Sequence, residues 1–164
     1  MRAGVVLIMV LALGAGMAAC EQTSGTFVPT KEGDEALAQA ESDARASADI
    51  FWDAWNERRP GDGEFMVKPG MRTRSGELEY IWVDLLSREG ARVFGRLAND
   101  PNGFDAKYGD EVAFDVNEVV DWAFKRDGKM FGMYSTRALM SRLNPQQAAE
   151  ARAILSDSPL PGAP

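Results

Sequence analysis

The sequence predicts an α+β fold: an antiparallel sheet of about five strands, a long N-terminal helix and short C-terminal helices. Three observations carry this. Apolar residues recur at three- and four-residue spacing from Leu37 to Trp55, the mark of a helix with one buried stripe. Strand-length apolar runs broken by Gly, Asn, Asp and Pro then fill Glu64 to Ser135, as in sheets built from hairpins. Two short stretches with capping residues follow. Helix, strands and helices in that order fit helices laid on one face of an antiparallel sheet.

Residues 1–19 read as a leader, with Arg2, an apolar run from Val5 to Leu13 and small residues before Cys20. The run is too short to cross a bilayer comfortably, which marks a secretory signal peptide rather than a membrane span. Met17-Ala18-Ala19-Cys20 resembles the bacterial lipobox, whose cysteine is acylated and becomes the mature N-terminus. Cys20 is therefore the expected site of lipid attachment, palmitate among the acyl chains; the alternative is an ordinary cleavage site beside an incidental cysteine. Each buried methylene contributes ~0.8 kcal/mol, so several chains moor a protein where one does not. Glu21 stands where aspartate would signal inner-membrane retention. The expected location is the bacterial cell envelope, lipid-anchored at the periplasmic face of the outer membrane. Residues 20–33, with Gly25, Pro29 and Gly33, read as a flexible tether.

A single domain is expected over 34–157. Asp34 is a plausible N-cap with Glu35 in the first turn, and the helix should end near Arg58-Arg59, stopped by Pro60-Gly61. Glu64 to Lys68 makes a short strand with Phe65 and Val67 on one face. The organising hairpin spans Glu77 to Pro101. A three-residue loop, Arg88-Glu89-Gly90, pairs Leu85 with Val93, Val83 with Gly95 and Ile81 with Leu97, which collects one apolar face. The other face then carries Tyr80, Trp82, Asp84, Arg92, Phe94 and Arg96.

After the turn at Asn99–Gly103 comes a strand near Glu111 to Phe114. Asp127-Gly128 then closes a second hairpin, setting Phe124 against Phe131, Trp122 against Met133 and Asp121 against Tyr134. Ser135 or Thr136 caps a short helix through Leu143. Asn144 caps another, with Pro145 at its first position, running to about Leu155. Residues 158–164 read as a loose tail.

Composition narrows the chemistry. The chain has no histidine and one cysteine, so Ser-His-Asp, Cys-His, HExxH and Cys/His zinc devices cannot be built. Net charge is −7 and the basic runs, Arg58-Arg59 and Arg72-Thr73-Arg74 among them, are short, which disfavours nucleic acid as a partner. Asp100, Asn102 and Asp105 lie close together but miss the spacing of a calcium loop. No metal or other cofactor is expected.

The order of several short segments resembles the YegJ-like bacterial family, a domain of unknown function numbered 2314. They are Phe65-Met66-Val67-Lys68, Glu79-Tyr80-Ile81-Trp82-Val83, Phe94-Gly95-Arg96-Leu97-Ala98-Asn99-Asp100-Pro101, Gly109-Asp110-Glu111-Val112, Asp121-Trp122, Gly128-Lys129-Met130-Phe131-Gly132 and Thr136-Arg137. The resemblance covers about Ala44 to Leu139. It implies the same α+β fold and brings no established activity. Where the family commonly has E-H-x-W this chain has Glu79-Tyr80-Ile81-Trp82, and a tyrosine cannot repeat histidine chemistry at neutral pH.

Tyr80, Trp82, Arg92, Asp121 and Arg137 are the candidate ligand-binding residues. Aromatics and arginine are enriched at interfaces, yet cover by the helix end at Phe51-Trp55 explains the same strand face. Asp121 beside Trp122 could offer a carboxylate next to an aromatic wall; the commoner arrangement has Asp121 bonded to Tyr134 or a backbone amide while Trp122 fills core. Lys68 reads as an edge-strand lysine rather than a buried amine. No catalytic residue is assigned. The expected function is a membrane-tethered envelope lipoprotein with a non-catalytic domain that binds an envelope protein or polymer. The alternative is a carboxylate-based envelope hydrolase, with Glu79 converging on Asp121 or Asp100 at about 5–9.5 Å.

Overall fold

A computed structural model describes residues 34–162 together with the backbone of two short strands, β1 (Ala3–Ile8) and β2 (Thr26–Lys31). Cys20 and the lipobox lie outside the described residues. The fold is α+β, as expected. Two helices, α1 (Glu35–Ala46) and α2 (Ala48–Glu57), precede β3 (Asp62–Arg72), β4 (Leu78–Tyr80), β5 (Val83–Glu89), β6 (Arg92–Leu97), β7 (Glu111–Asp115), β8 (Val119–Arg126) and β9 (Lys129–Gly132). Helices α3 (Tyr134–Ala138) and α4 (Pro145–Ile154) follow. The strand path runs β2-β1-β4-β3-β5-β6-β7, with β8 laid on β3 and β9 on β8.

The long helix expected from Asp34 to Arg58 is broken at Ser47. Its hydroxyl takes the Asp43 carbonyl at 2.7 Å and meets the Tyr134 hydroxyl at 2.7 Å, the side-chain competition by which serine interrupts helices. The caps of α1 and α4 are where the sequence puts them, but Ser135 and Thr136 are not caps: α3 starts at Tyr134, after Met133 in the left-handed region, and ends at Ala138 rather than Leu143. Asp34 accepts from the Leu37 amide, and Arg58 ends α2 in the left-handed region just before Pro60. Asn144 and Gln147 exchange the two bonds of a capping box around Pro145.

The organising hairpin buries the expected face: Ile81, Val83, Leu85, Val93 and Leu97 are all in the core. Its pairing is different. A two-residue turn at Gly90-Ala91 sets Glu89 against Arg92, and a bulge at Leu86 brings Leu85 opposite Gly95 and Val83 opposite Leu97. The shift from the expected register is two residues, so each side chain keeps its face; a slip of one would have exchanged the faces. Leu86, the extra residue, is 41% exposed. The bulge also brings Arg88 onto the α2 side, where its guanidinium lies 4.3 Å from the Trp52 ring centre.

Helices cover both faces of the sheet rather than one. Phe65, Val67, Trp122 and Phe124 point toward α1 and α2 and pack with Phe51, Ala44 and Ala54. Met66, Trp82, Ala123 and Met130 point the other way, against Ala148, Ala151 and Ile154 of α4. Alternation along β3 produces this division. It also moves Met133 out of the expected Trp122–Phe124–Phe131 face and into the second cluster, because the chain leaves β9 after Gly132 in two successive left-handed residues. The stretch after Ser158, read as loose, is tied back where the Pro159 carbonyl accepts from the Gly132 amide at 2.8 Å.

Gly132 has φ +72°, and a Cβ there would lie 2.1 Å from the Trp122 carbonyl oxygen. Both the conformation and the contact exclude a side chain. Gly132→Ala should cost more than ~2 kcal/mol in urea unfolding, whereas Leu86→Ser at the exposed bulge should stay within about 0.5 kcal/mol.

Candidate functional site

Between the sheet and the C-terminal helices, β3 and β8 place Lys68 directly opposite Asp121. Each is 1% exposed. By alternation Lys68 shares the face of Met66, under α3 and α4, in a strand with neighbours on both sides. It is not the edge-strand lysine the sequence suggested. Lys68 Nζ donates to Ser135 Oγ at 2.7 Å and sits 4.6 Å from the centre of the Trp82 ring, a buried cation–π contact. Ser135 Oγ in turn donates to Asp121 Oδ2 at 2.6 Å.

The Asp121 carboxylate is fully occupied. Oδ1 accepts from the amides of Trp122 at 2.8 Å and Tyr134 at 3.1 Å, and Oδ2 accepts from the Ser135 amide at 2.8 Å as well as its hydroxyl. It thus holds the two amides that open α3. Burial pushes the Asp121 carboxyl upward, opposed by Lys68 and by the bonds from Ser135 and Tyr134. Burial likewise pushes Lys68 down to about 8, with the Asp121 charge opposing it. A proton on Asp121 would have to sit on an oxygen already accepting two donors, so at neutral pH the pair is an ammonium and a carboxylate joined through a serine.

Lysine beside serine is also the makings of a base and a nucleophile. Here the serine proton goes to Asp121, and the Tyr134 and Ser135 amides, which could have stabilised an oxyanion, are spent on the same carboxylate. The arrangement fastens α3 to β3 and β8.

Of the five candidate residues, Trp82 and Asp121 come together in this cluster as core, not as surface. Arg137 lies next to it, half-buried. Its guanidinium donates to the Gly132 carbonyl at 2.7 Å, the Ser156 carbonyl at 2.9 Å and the Met130 carbonyl at 3.3 Å, pinning the chain end to β9. Tyr80 lies apart, half-buried, its ring 3.0 Å from where a Cβ of Gly70 would stand. Arg92 is exposed at the start of β6. The five candidates are therefore divided between core and surface. Local sequence gives Lys68 and Ser135 no sign of this cluster, because it forms only through the β3–β8 register.

Glu79 and Asp100 also bond to loop amides. Glu79 accepts from the amides of Asn102 at 2.9 Å and Gly103 at 2.8 Å, and Asp100 Oδ1 accepts from the Tyr108 amide at 2.7 Å. Neither joins Asp121 in a facing pair. Among the described residues no group of three or more His, Cys, Asp or Glu could hold a metal ion, and no helix is long and apolar enough to cross a membrane.

The family model for DUF2314, an uncharacterized protein conserved in bacteria, matches residues 34–154. The chain belongs to the DUF2314 family. The match begins at the N-cap of α1 and ends with the last residue of α4, so it takes in the helices on both faces of the sheet. The chain is similar to the uncharacterized protein YegJ of Escherichia coli K12, at 25% identity over 151 residues, covering 92% of this chain and 97% of YegJ. It is also similar to a putative ankyrin repeat protein of Neisseria meningitidis serogroup B, at 25% identity over 128 residues and 73% of this chain. There it spans about half of the relative's length, 51%. No solved structure matches.

Unfolded, Lys68 keeps its proton to about 10.5; folded, it loses it near 8. Between those values the unfolded chain binds more protons, so the Lys68 contribution to stability rises with pH. Relative to Lys68→Met, the wild type should gain on the order of 1 kcal/mol between pH 8 and pH 9.5 in urea unfolding. A constant difference across that window would contradict the buried, proton-shedding amine.

Proposed function

We propose that this DUF2314 chain is an envelope lipoprotein, moored through acylated Cys20, whose α+β domain recognises an envelope protein or polymer without transforming it. The observation that carries the non-catalytic half is the state of Asp121, whose two oxygens each accept two donors of the fold itself. A general acid or base needs a lone pair or proton aimed at substrate. To supply one, Asp121 would have to release the helix it holds. Glu79 is held through both oxygens by loop amides, and Asp100 through Oδ1 alone.

The outer surface supports recognition. Arg58 and Arg88 lie 3.8 Å and 4.3 Å from the ring centres of Trp55 and Trp52, which are only partly covered. Arg92 and Arg96 stand exposed on β6. Aromatic rings and guanidinium groups of this kind are what interfaces are enriched in. The anchoring half is supported by the leader and by Met17-Ala18-Ala19-Cys20. The Neisseria relative adds that the domain occurs within a longer chain of a different name, as a portable module does.

Cells fed an alkyne-tagged fatty acid should label the full chain, and Cys20→Ala should abolish the label and shift the protein from the membrane pellet to the soluble fraction. Wild-type protein recovered soluble and unlabelled would remove the anchor. Turnover of an envelope polymer by purified protein, lost in a folded Asp121→Asn variant, would overturn the non-catalytic half.

A further inference from the structure

We propose that the free edge of β7 takes up an extended, basic segment of a partner protein as an added strand. The proposal rests on the recognition reading above and names the class of partner. Strand β7 ends the described sheet path, paired with β6 alone. Two bonds set its hydrogen-bonding sense. Val116 donates to the Ala91 carbonyl at 2.8 Å and Leu97 to the Asp110 carbonyl at 3.0 Å. In an antiparallel ladder the bonded pairs recur every second residue, so Val112 and Phe114 bond to Gly95 and Val93. The amides and carbonyls of Glu111 and Ala113 then face outward. The next outward amide, that of Asp115, is taken by Glu118 Oε2 at 2.8 Å, which closes that end of the edge. The open template is Glu111 to Ala113, and Tyr108, 59% exposed, stands just before it in the chain.

An open edge invites any strand, and native sheets limit the choice by charge. Here the edge and its flanks carry Asp105, Asp110, Glu111, Asp115 and Glu118, with Lys107 the single cation between them in sequence; Glu111 is paired with Arg96 of β6 and Asp105 with Arg74, so the carboxylates outside any ion pair of the described residues are Asp110, Asp115 and Glu118. In a second copy docked edge to edge these charges would oppose one another, which disfavours self-pairing. The same charges complement Lys or Arg side chains alternating along an added strand. The acidic edge therefore rejects its own kind and selects a basic partner.

The test uses the full chain in detergent micelles and a fluorescent ten-residue peptide of alternating Lys and Val. A peptide of the same charge with Pro at every third position serves as control, because it cannot add as a strand. The wild type should bind the alternating peptide at least tenfold more tightly than the control. Ala113→Pro removes an outward amide while leaving the bonds to β6 in place, and should weaken binding at least tenfold with little change in thermal unfolding; Glu111→Lys should also weaken it. Equal binding of the two peptides, or binding untouched by Ala113→Pro, would reduce the effect to general attraction between opposite charges and overturn strand addition. No binding of the alternating peptide would overturn it as well. Dimers of the wild type that dissociate in Ala113→Pro would make the edge a self-interface. Cosedimentation with peptidoglycan lost in Ala113→Pro would replace the protein partner by a polymer. Each of these outcomes leaves the anchored, non-catalytic reading standing, since that reading is decided by acylation and turnover.

Discussion

Taking the Lys68 ammonium and the Asp121 carboxylate out of water is the constraint that the surrounding structure accommodates. Each desolvated ion costs several kcal/mol, and a missing partner leaves that cost uncompensated. Four hydrogen bonds on Asp121, the Ser135 bridge and the Trp82 ring supply the compensation. Two of those four donors are the first amides of α3, so the helix has to begin where the carboxylate is. The chain reaches it from β9 through Gly132 and Met133, both at positive φ. Tyr134, placed by the same turn, meets Ser47 and stands at the break between α1 and α2. One buried pair thus governs the path from β9 to α3 and bears on a helix nearly ninety residues earlier.

The bulges do a second kind of work. Strand β3 carries two irregularities against β8, one at Gly63 to Met66 and one at Lys68 to Pro69. The first lets Glu64 take a left-handed conformation; the second places Pro69 where its missing amide interrupts no regular ladder. In β5 the extra residue at Leu86 lets a tight turn coexist with an unbroken apolar face. Where helices clad both sides, over β3 and β8, there is no polar face on which to hide a misplaced side chain, so each of those strands must deliver the right residue to the right side.

Much of this was legible. The caps at Asp34 and Asn144, the Asp127-Gly128 turn and the buried set from Ile81 to Leu97 follow from residue type and spacing alone, because local chemistry decides them. The bond from the Tyr134 amide to Asp121 was also within reach, since a carboxylate near a core is expected to take a structural partner. The hairpin register at Leu86 was not, because a bulge and a longer turn satisfy the same hydrophobic pattern. Nor was the second clad face. Met66, Trp82 and Ala123 look like the outward half of alternating strands until α4 lies over them. Lys68 was misjudged for the same reason. A lysine in a strand is normally an edge guard, and its burial depends on the pairing of β3 with β8, residues more than fifty apart.

Stability alone does not account for such a pair, since apolar residues of like volume often do as well or better. Register offers a better account. Between its two bulges β3 meets β8 through only Met66, Val67 and Lys68, opposite Ala123, Trp122 and Asp121. So short a ladder has few apolar contacts with which to fix its alignment, although a slip of one still exchanges the faces. A slip by one residue would set Lys68 against Trp122 or Val120 and leave two charges buried without each other. The ion pair adds its own cost to the exchange of faces that such a slip brings. It is in this sense that a polar cluster with no lone pair left over for a substrate still belongs at the centre of the fold.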